Sequence, residues 1–209
     1  MELKQLIKCN PVMGILRNIP LEDTLPYVNA VYEGGIHFFE VALNSMYGLE
    51  EIALLKKEFG SQIIIGAGTA VTVELAVRAR DAGADFLLTP NTDERILEYC
   101  AKNNVCLMPG VMTPSEVGIC QRYGFKVLKL FPAGELPLRY VKTIKGPFDG
   151  TDYVAIGGVG SSNWKEFMEN GYLGVGIGSS LIPKGLRETK SWREITDFVK
   201  HNYSWERER

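Results

Sequence analysis

Eight short apolar runs recur along the chain at intervals of 19 to 26 residues. They are VMGIL (12–16), FFEVAL (38–43), IIIGAG (63–68), FLLTP (86–90), VCLMPGV (105–111), VLKLF (127–131), YVAIGGV (153–159) and GVGIGSSL (174–181). Each is rich in Val, Ile, Leu or Phe and bounded by Gly, Pro, Thr or Asn, the pattern of a strand. They are more continuously apolar than alternating, which suits a parallel sheet covered on both faces. Helical patterns lie between them, at 21–35, 71–84, 92–104, 113–124 and 161–171. The first opens with acids and stops at Gly-Gly, with Pro26 early enough to be tolerated. The others open at Thr or Ser and end in Gly or Asn; Thr113 with Glu116 three residues on reads as a capping box.

Strands alternating with helices at this period predict an α/β fold of one domain, residues 1–209: a compact (β/α)8 TIM barrel. ELKQLIKC reads as a short N-terminal helix before the first strand, and the tail HNYSWERER as the solvated end of the last helix. The alternative is an open doubly wound sheet, but no G-x-G-x-x-G opens the first helix, and GAG and GGVG fall on the wrong strands.

The remaining composition narrows the chemistry. A formal net charge of -2 gives no electrostatic case for nucleic acid or an anionic membrane, while a local donor cluster for a small anion stays open. No stretch approaches the ~20 apolar residues of a membrane span, and the N-terminus lacks a signal-like apolar run. Cys9, Cys100, Cys106 and Cys120 form no C-x-x-C and read as small core or half-buried residues with reduced thiols, as in a cytoplasmic protein. Only two histidines are present, His37 and His201, which weighs against a zinc hydrolase or metal-dependent aldolase. His37 reads as a strand-end histidine, with a lone catalytic acid or base as the alternative.

In a barrel, chemistry gathers at the C-terminal ends of the strands. The polar residues there are Arg17, Glu40, Asn44, Thr69, Thr89, Asn91 and Lys129, with Gly157, Gly158, Gly178, Ser179 and Ser180. Lys129 and Glu40 stand out because they lie within apolar strands. At period two, Val127, Lys129 and Phe131 share one face, as do Phe38, Glu40 and Ala42. If both faces point inward, a lysine and a carboxyl meet in a partly dry centre. Burial disfavours an ammonium, leaving an amine able to attack a ketone, and the carboxyl beside it can shuttle protons. A structural Lys–Glu ion pair is the competing explanation, although buried pairs often add little stability. Arg17 is placed to hold a carboxylate, or is simply a surface arginine. The small residues ending strands seven and eight suit phosphate binding through backbone N–H groups, or tight turns without a ligand.

The motifs FFEVALNS, IIIGAGT, FLLTPN, LMPGVMTPSE, VLKLFPA, AIGGV and GIGSS, in this order from about residue 5 to 200, resemble the 2-keto-3-deoxy-6-phosphogluconate/4-hydroxy-2-oxoglutarate aldolase family. The resemblance implies a class I aldolase releasing pyruvate, with Lys129 forming the Schiff base and Glu40 as general acid/base. It implies that Arg17 and Thr69 hold the pyruvyl end, that Gly158, Gly178 and Ser179 take a distal phosphate, and that Asn44, Pro90, Phe131, Ile156 and Gly157 complete the substrate site. It also implies a homotrimer without metal or cofactor. Two departures stand out. Asn44 occupies a position where members acting on the gluconate epimer typically carry arginine, and Ala155-Ile156 stands where they have Pro-Thr. These resemble the branch acting on 2-dehydro-3-deoxy-6-phosphogalactonate. A non-catalytic phosphosugar-binding barrel and a phosphosugar isomerase are the rival functions.

Overall fold

The computed structural model describes residues 2–205. Its strands are β1 (Val12–Leu16), β2 (Phe38–Ala42), β3 (Ile64–Gly68), β4 (Phe86–Leu88), β5 (Leu107–Met108), β6 (Gly110–Val111), β7 (Val127–Leu130), β8 (Asp152–Ile156) and β9 (Gly174–Ile177). All pair in parallel, in the order β5-β4-β3-β2-β1-β9-β8-β7-β6. The two edges of this sheet are halves of a single segment. Proline at 109 has no N–H to give to a ladder, so β5 pairs with β4 and β6 with β7, while the Pro109 carbonyl still accepts a 2.9 Å bond from the Lys129 N–H. The result is a barrel of eight strand positions, as the spacing of the apolar runs predicts.

The helices are α1 (Leu3–Cys9), α2 (Leu21–Glu33), α3 (Gly48–Phe59), α4 (Val73–Asp81), α5 (Glu94–Lys102), α6 (Pro114–Arg122), α7 (Tyr140–Lys145), α8 (Trp164–Glu169), α9 (Lys184–Glu188) and α10 (Trp192–Asn202). The capping box at Thr113 forms, with Glu116 accepting from the Thr113 N–H at 2.7 Å. Two expected caps move. Asp93 caps α5 instead of Thr92, whose hydroxyl donates to the Gly110 carbonyl at 2.7 Å. At α8 the flanking residue is Asn163, not a serine. Among the described residues no helix is long and apolar enough to cross a membrane.

Strand alternation divides the core in two. Outward-facing residues such as Leu16, Phe39, Val41, Ile65, Leu87, Leu128, Leu130 and Ala155 pack against the helices in one large cluster. Inward-facing Met13, Ile15, Phe38, Phe86, Leu88, Met108, Val154 and Ile156 form a smaller cluster, with Leu3 and Ile7 of α1 packed into it. Phe38 and Phe86 stack there at 4.9 Å. Asp152, which opens β8, pairs with Lys4 of α1 and Lys145 of α7 at 2.7 and 3.2 Å.

The tail differs from expectation. Tyr203 is buried, and its hydroxyl donates to the Leu181 carbonyl at 2.9 Å, while Trp164 of α8 donates to the Asn202 carbonyl at 3.1 Å. An amphipathic phenol can bury its ring when its hydroxyl finds an acceptor, and here it ties the end of α10 to the loop after β9. Residues 206–209 lie outside the described residues. The cysteines are all free: Cys100 and Cys120 are buried, Cys106 is half-buried, and Cys9 is exposed instead of joining them. Burial pushes the Cys100, Cys106 and Cys120 thiols up to about 11.

One carboxyl is buried between helices. Glu51 of α3 accepts a 3.1 Å bond from the Thr24 hydroxyl of α2, while its other oxygen is buried without a partner. Desolvation pushes it up to about 7 from an ordinary 4.5. A folded-state value above the unfolded one means stability fully present below about pH 4.5 and lost as pH rises through about 7. Glu51→Gln keeps the acceptor for Thr24 and cannot ionise. Denaturant unfolding at pH 4.5, 6 and 8 should show this variant gaining on the parent with pH, by on the order of 2–3 kcal/mol at pH 8. Parallel pH profiles would contradict the assignment.

Candidate active site

Lys129 of β7 and Glu40 of β2 both project into the barrel, on the parity of Val127 and Phe38. They are 4% and 0% exposed. The structure does not pair them. Both Glu40 oxygens are buried without any hydrogen-bond partner, and among the described residues no carboxylate lies within ion-pairing distance of Lys129. An ion pair closing the barrel is therefore not what holds these residues in place. Leaving a buried polar group unsatisfied costs ~1–3 kcal/mol, and neither the backbone nor a side chain of the described residues offsets that cost for the Glu40 carboxyl.

Strand three makes room for that carboxyl. Glu40 sits across from Gly66 in the register, and Gly68 follows on the same face. A Cβ on Gly68 would collide with Glu40 Oε1, and one on Gly66 would collide with the Phe86 ring. The GAG of IIIGAGT thus has a steric role, leaving room for the Phe86 ring and the Glu40 carboxyl. Thr69 follows at φ 60°, a left-handed conformation that is rare for a β-branched residue. Such strain clusters at functional sites.

A cleft of about 430 Å³ opens at the C-terminal ends of β1, β8 and β9. It is lined by Arg17, Phe131, Ile156, Gly157, Gly158, Gly178, Ser179 and Ser180, eight of the residues that the sequence singled out, together with Ile15, Tyr27 and Arg187, which it did not. Lys129, Glu40, Thr69, Asn44 and Pro90 are not in its wall, but the first two adjoin it. Lys129 Nζ lies 5.0 Å from the centroid of the Phe131 ring, and Glu40 is the register partner of Ile15. Phe131 is 37% exposed, unusual for its type, and links lysine and cleft, its ring lying beside Lys129 while it lines the cleft. Gly157 and Gly158 have φ of 87° and 76°. These are backbone conformations that glycine adopts without strain, and a Cβ on Gly158 would press to 2.8 Å from the Gly134 backbone. Asn44 is exposed in the β2–α3 loop, and Pro90 is half-buried beside Gly110. In the neighbouring loops the Asn18 N–H donates to the Ser45 hydroxyl at 2.9 Å, which couples the exits of β1 and β2.

His37 falls at the other end of β2, half-buried with its ring 4.7 Å from Tyr32. That is the wrong end of the strand for the site. Arg187 and Tyr27 escaped the sequence reading because both are helix residues, on α9 and α2, reached only through the fold. The available signal was that α9 follows directly on the GIGSS motif.

The arrangement is a buried amine, a buried unpaired carboxyl and a glycine-lined cleft with two arginines. Comparison with known proteins agrees with that chemistry. The sequence model described as KDPG and KHG aldolase matches residues 3–198. The chain is similar to 2-dehydro-3-deoxy-phosphogluconate aldolase of Pseudomonas aeruginosa, 31% identical over 189 residues, 88% of this chain and 83% of that one. It is similar as well to 2-dehydro-3-deoxy-6-phosphogalactonate aldolase of Escherichia coli, 28% identical over 191 residues, 91% and 93% of the two chains. Among solved structures, KDPG aldolase of Legionella pneumophila with pyruvate captured as a covalent carbinolamine superimposes with a TM-score of 0.88 at 29% identity, covering 97% of this chain and 98% of that one. With a match spanning nearly its whole length, this chain belongs to the KDPG and KHG aldolase family.

Proposed function

We propose that this protein is a Schiff-base aldolase that reversibly cleaves a 2-keto-3-deoxy-6-phosphosugar acid to pyruvate and glyceraldehyde 3-phosphate. The observation that carries the proposal is the pair of inward-facing, buried and mutually unpaired side chains, Lys129 and Glu40, beside one cleft. The Lys129 amine adds to the C2 ketone, and Glu40 relays the protons that turn the carbinolamine into an iminium ion by loss of water. Glu40, directly or through water, takes the C4 hydroxyl proton. The C3–C4 bond then breaks, its electron pair entering the iminium to give an enamine while C4 leaves as the aldehyde. Proton return to C3 and addition of water release pyruvate and the free amine. Arg17 and Thr69 hold the pyruvyl carboxylate, Asn44 and Pro90 border that end, and Gly157, Gly158, Gly178 and Ser179 receive the phosphate. The same chemistry extends to 4-hydroxy-2-oxoglutarate, giving pyruvate and glyoxylate.

The cleft also bears on which epimer is cleaved. Ile156 is buried in its wall and offers no hydroxyl to the substrate, which supports the phosphogalactonate acid as the preferred substrate. Relatives acting on either epimer are similar to nearly the same degree, 31% and 28% identical, so the preference rests on Ile156 and Asn44. The protein acts in the cytoplasm as a homotrimer. Met46, Tyr47, Val71 and Met112, exposed apolar side chains in loops after β2, β3 and β6, give that assembly an apolar surface at one end of the barrel.

Borohydride added with pyruvate should reduce a stable adduct onto Lys129, located by peptide mass; an unmodified Lys129, or full activity in Lys129→Ala, refutes the mechanism. Gly68→Ala pushes a methyl group into the Glu40 carboxyl. It should lower turnover by about 100-fold, the scale of a 1 Å misplacement, while adduct formation persists. Glu40→Gln should do at least as much, and wild-type turnover in both variants would remove Glu40 from the mechanism. For specificity, Ile156→Thr should shift the ratio of kcat/KM for the two epimers toward the gluconate acid by about 10-fold, the value of one hydrogen bond. An unchanged ratio, measured by coupled assay of pyruvate release, would locate discrimination elsewhere.

A further inference from the structure

The glycine-lined end of the cleft supplies backbone donors but no net charge, and a phosphate dianion entering it needs a cation. Arg17 is the cation assigned to the carboxylate at the other end of the substrate. The second is Arg187 of α9, whose side chain lines the same cleft. Its Nε is buried and has no hydrogen-bond acceptor. The nearby acids are already engaged, Glu188 with Lys184 at 3.6 Å and Asp23 with Lys190 at 2.7 Å, and no Asp or Glu lines the cleft. Tyr27 of α2, also in the wall, lies within reach of the guanidinium: burial pushes its phenol well above the ordinary range, and the Arg187 charge opposes that rise. A half-buried guanidinium with a free edge, beside two glycines and a serine, has the fork geometry that bidentate phosphate binding uses.

We propose that Arg187, set against Tyr27, is the side-chain charge that binds the substrate's distal phosphate and so decides between phosphorylated and unphosphorylated keto acids. This rests on the aldolase reading above for the identity of the substrate. It goes beyond that reading by placing the specificity in a residue on a helix outside every strand-end motif. The pyruvyl half of the substrate does not reach Arg187, so chemistry confined to that half does not depend on it.

The test compares Arg187→Met and Arg187→Lys with the parent in three measurements. The first is cleavage of the phosphorylated substrate, where the Met variant should raise KM by about 100-fold with kcat changed little, the scale for losing one partner of a desolvated charge pair, and the Lys variant should recover part of it. The second is deuterium exchange into the methyl group of pyruvate, which needs Lys129, Glu40 and the groups at the pyruvyl end but not Arg187, and should be unchanged. The third is direct titration with inorganic phosphate, whose binding should weaken in the Met variant to a similar degree. A KM close to that of the parent, or exchange and cleavage falling together, overturns the assignment, the latter by showing a merely structural role. If the parent itself fails to exchange pyruvate, the aldolase reading fails; phosphate titration then still decides Arg187, and equal binding by parent and Met variant overturns it.

Discussion

Everything in this molecule depends on how little space an eight-position barrel encloses. Every second residue of each strand points inward, and those positions must fill the interior without collision. Most of the filling is apolar, from Met13 and Phe38 through Phe86 to Ile156. Two of the inward positions are given to Lys129 and Glu40 instead. The cost is met sterically by Gly66 and Gly68 on the strand beside Glu40, since a methyl group at either would displace Phe86 or the Glu40 carboxyl. The meeting of Lys129 and Glu40 inside the barrel is thus a consequence of packing parity: shift β7 by one residue and Lys129 would face the helices, shift β2 and Glu40 would.

That parity was legible in the sequence, and so were the strands, because continuous apolar runs at a steady interval have few other interpretations. The N-terminal helix and five of the later helices were legible too, from their caps and glycine stops. Other parts were not. Helix α3 begins after Tyr47, which makes no capping bond, so its start carries no local signal. Helices α7 and α9 are six and five residues long, shorter than the window over which periodicity can be counted. The break at Pro109 is invisible until both neighbouring strands are in place. Tyr203 lies in a polar tail, and only its acceptors Ser180 and Leu181, more than 20 residues away, explain its burial.

The site divides in the same way. Residues on strand ends were found by counting, because the barrel topology gathers strand ends at one mouth. The cleft wall brings Arg17, Phe131, Ile156 and the glycines together, whereas Thr69, Asn44 and Pro90 stand outside it. Residues on helices, Tyr27 and Arg187, come from the second layer and reach the cleft only through the angle at which α2 and α9 pack. A motif reading is blind to such residues, since neither the period nor the spacing of strands fixes where a helical side chain ends.

Burial of a carboxyl does not by itself mark a site, and the two fully buried glutamates show why. Glu40 and Glu51 both have an oxygen without a partner. Glu51 lies between two helices and accepts one bond from Thr24, and its burial raises its carboxyl so that stability falls as pH rises through about 7. Glu40 has neither oxygen satisfied, sits across the strand register from a residue of the cleft wall, and shares the barrel interior with an unpaired lysine. Both burials burden the fold. Only the second places its unsatisfied atoms one strand from a cleft wall and in the same interior as an unpaired lysine, and this position, more than burial, distinguishes the two carboxyls.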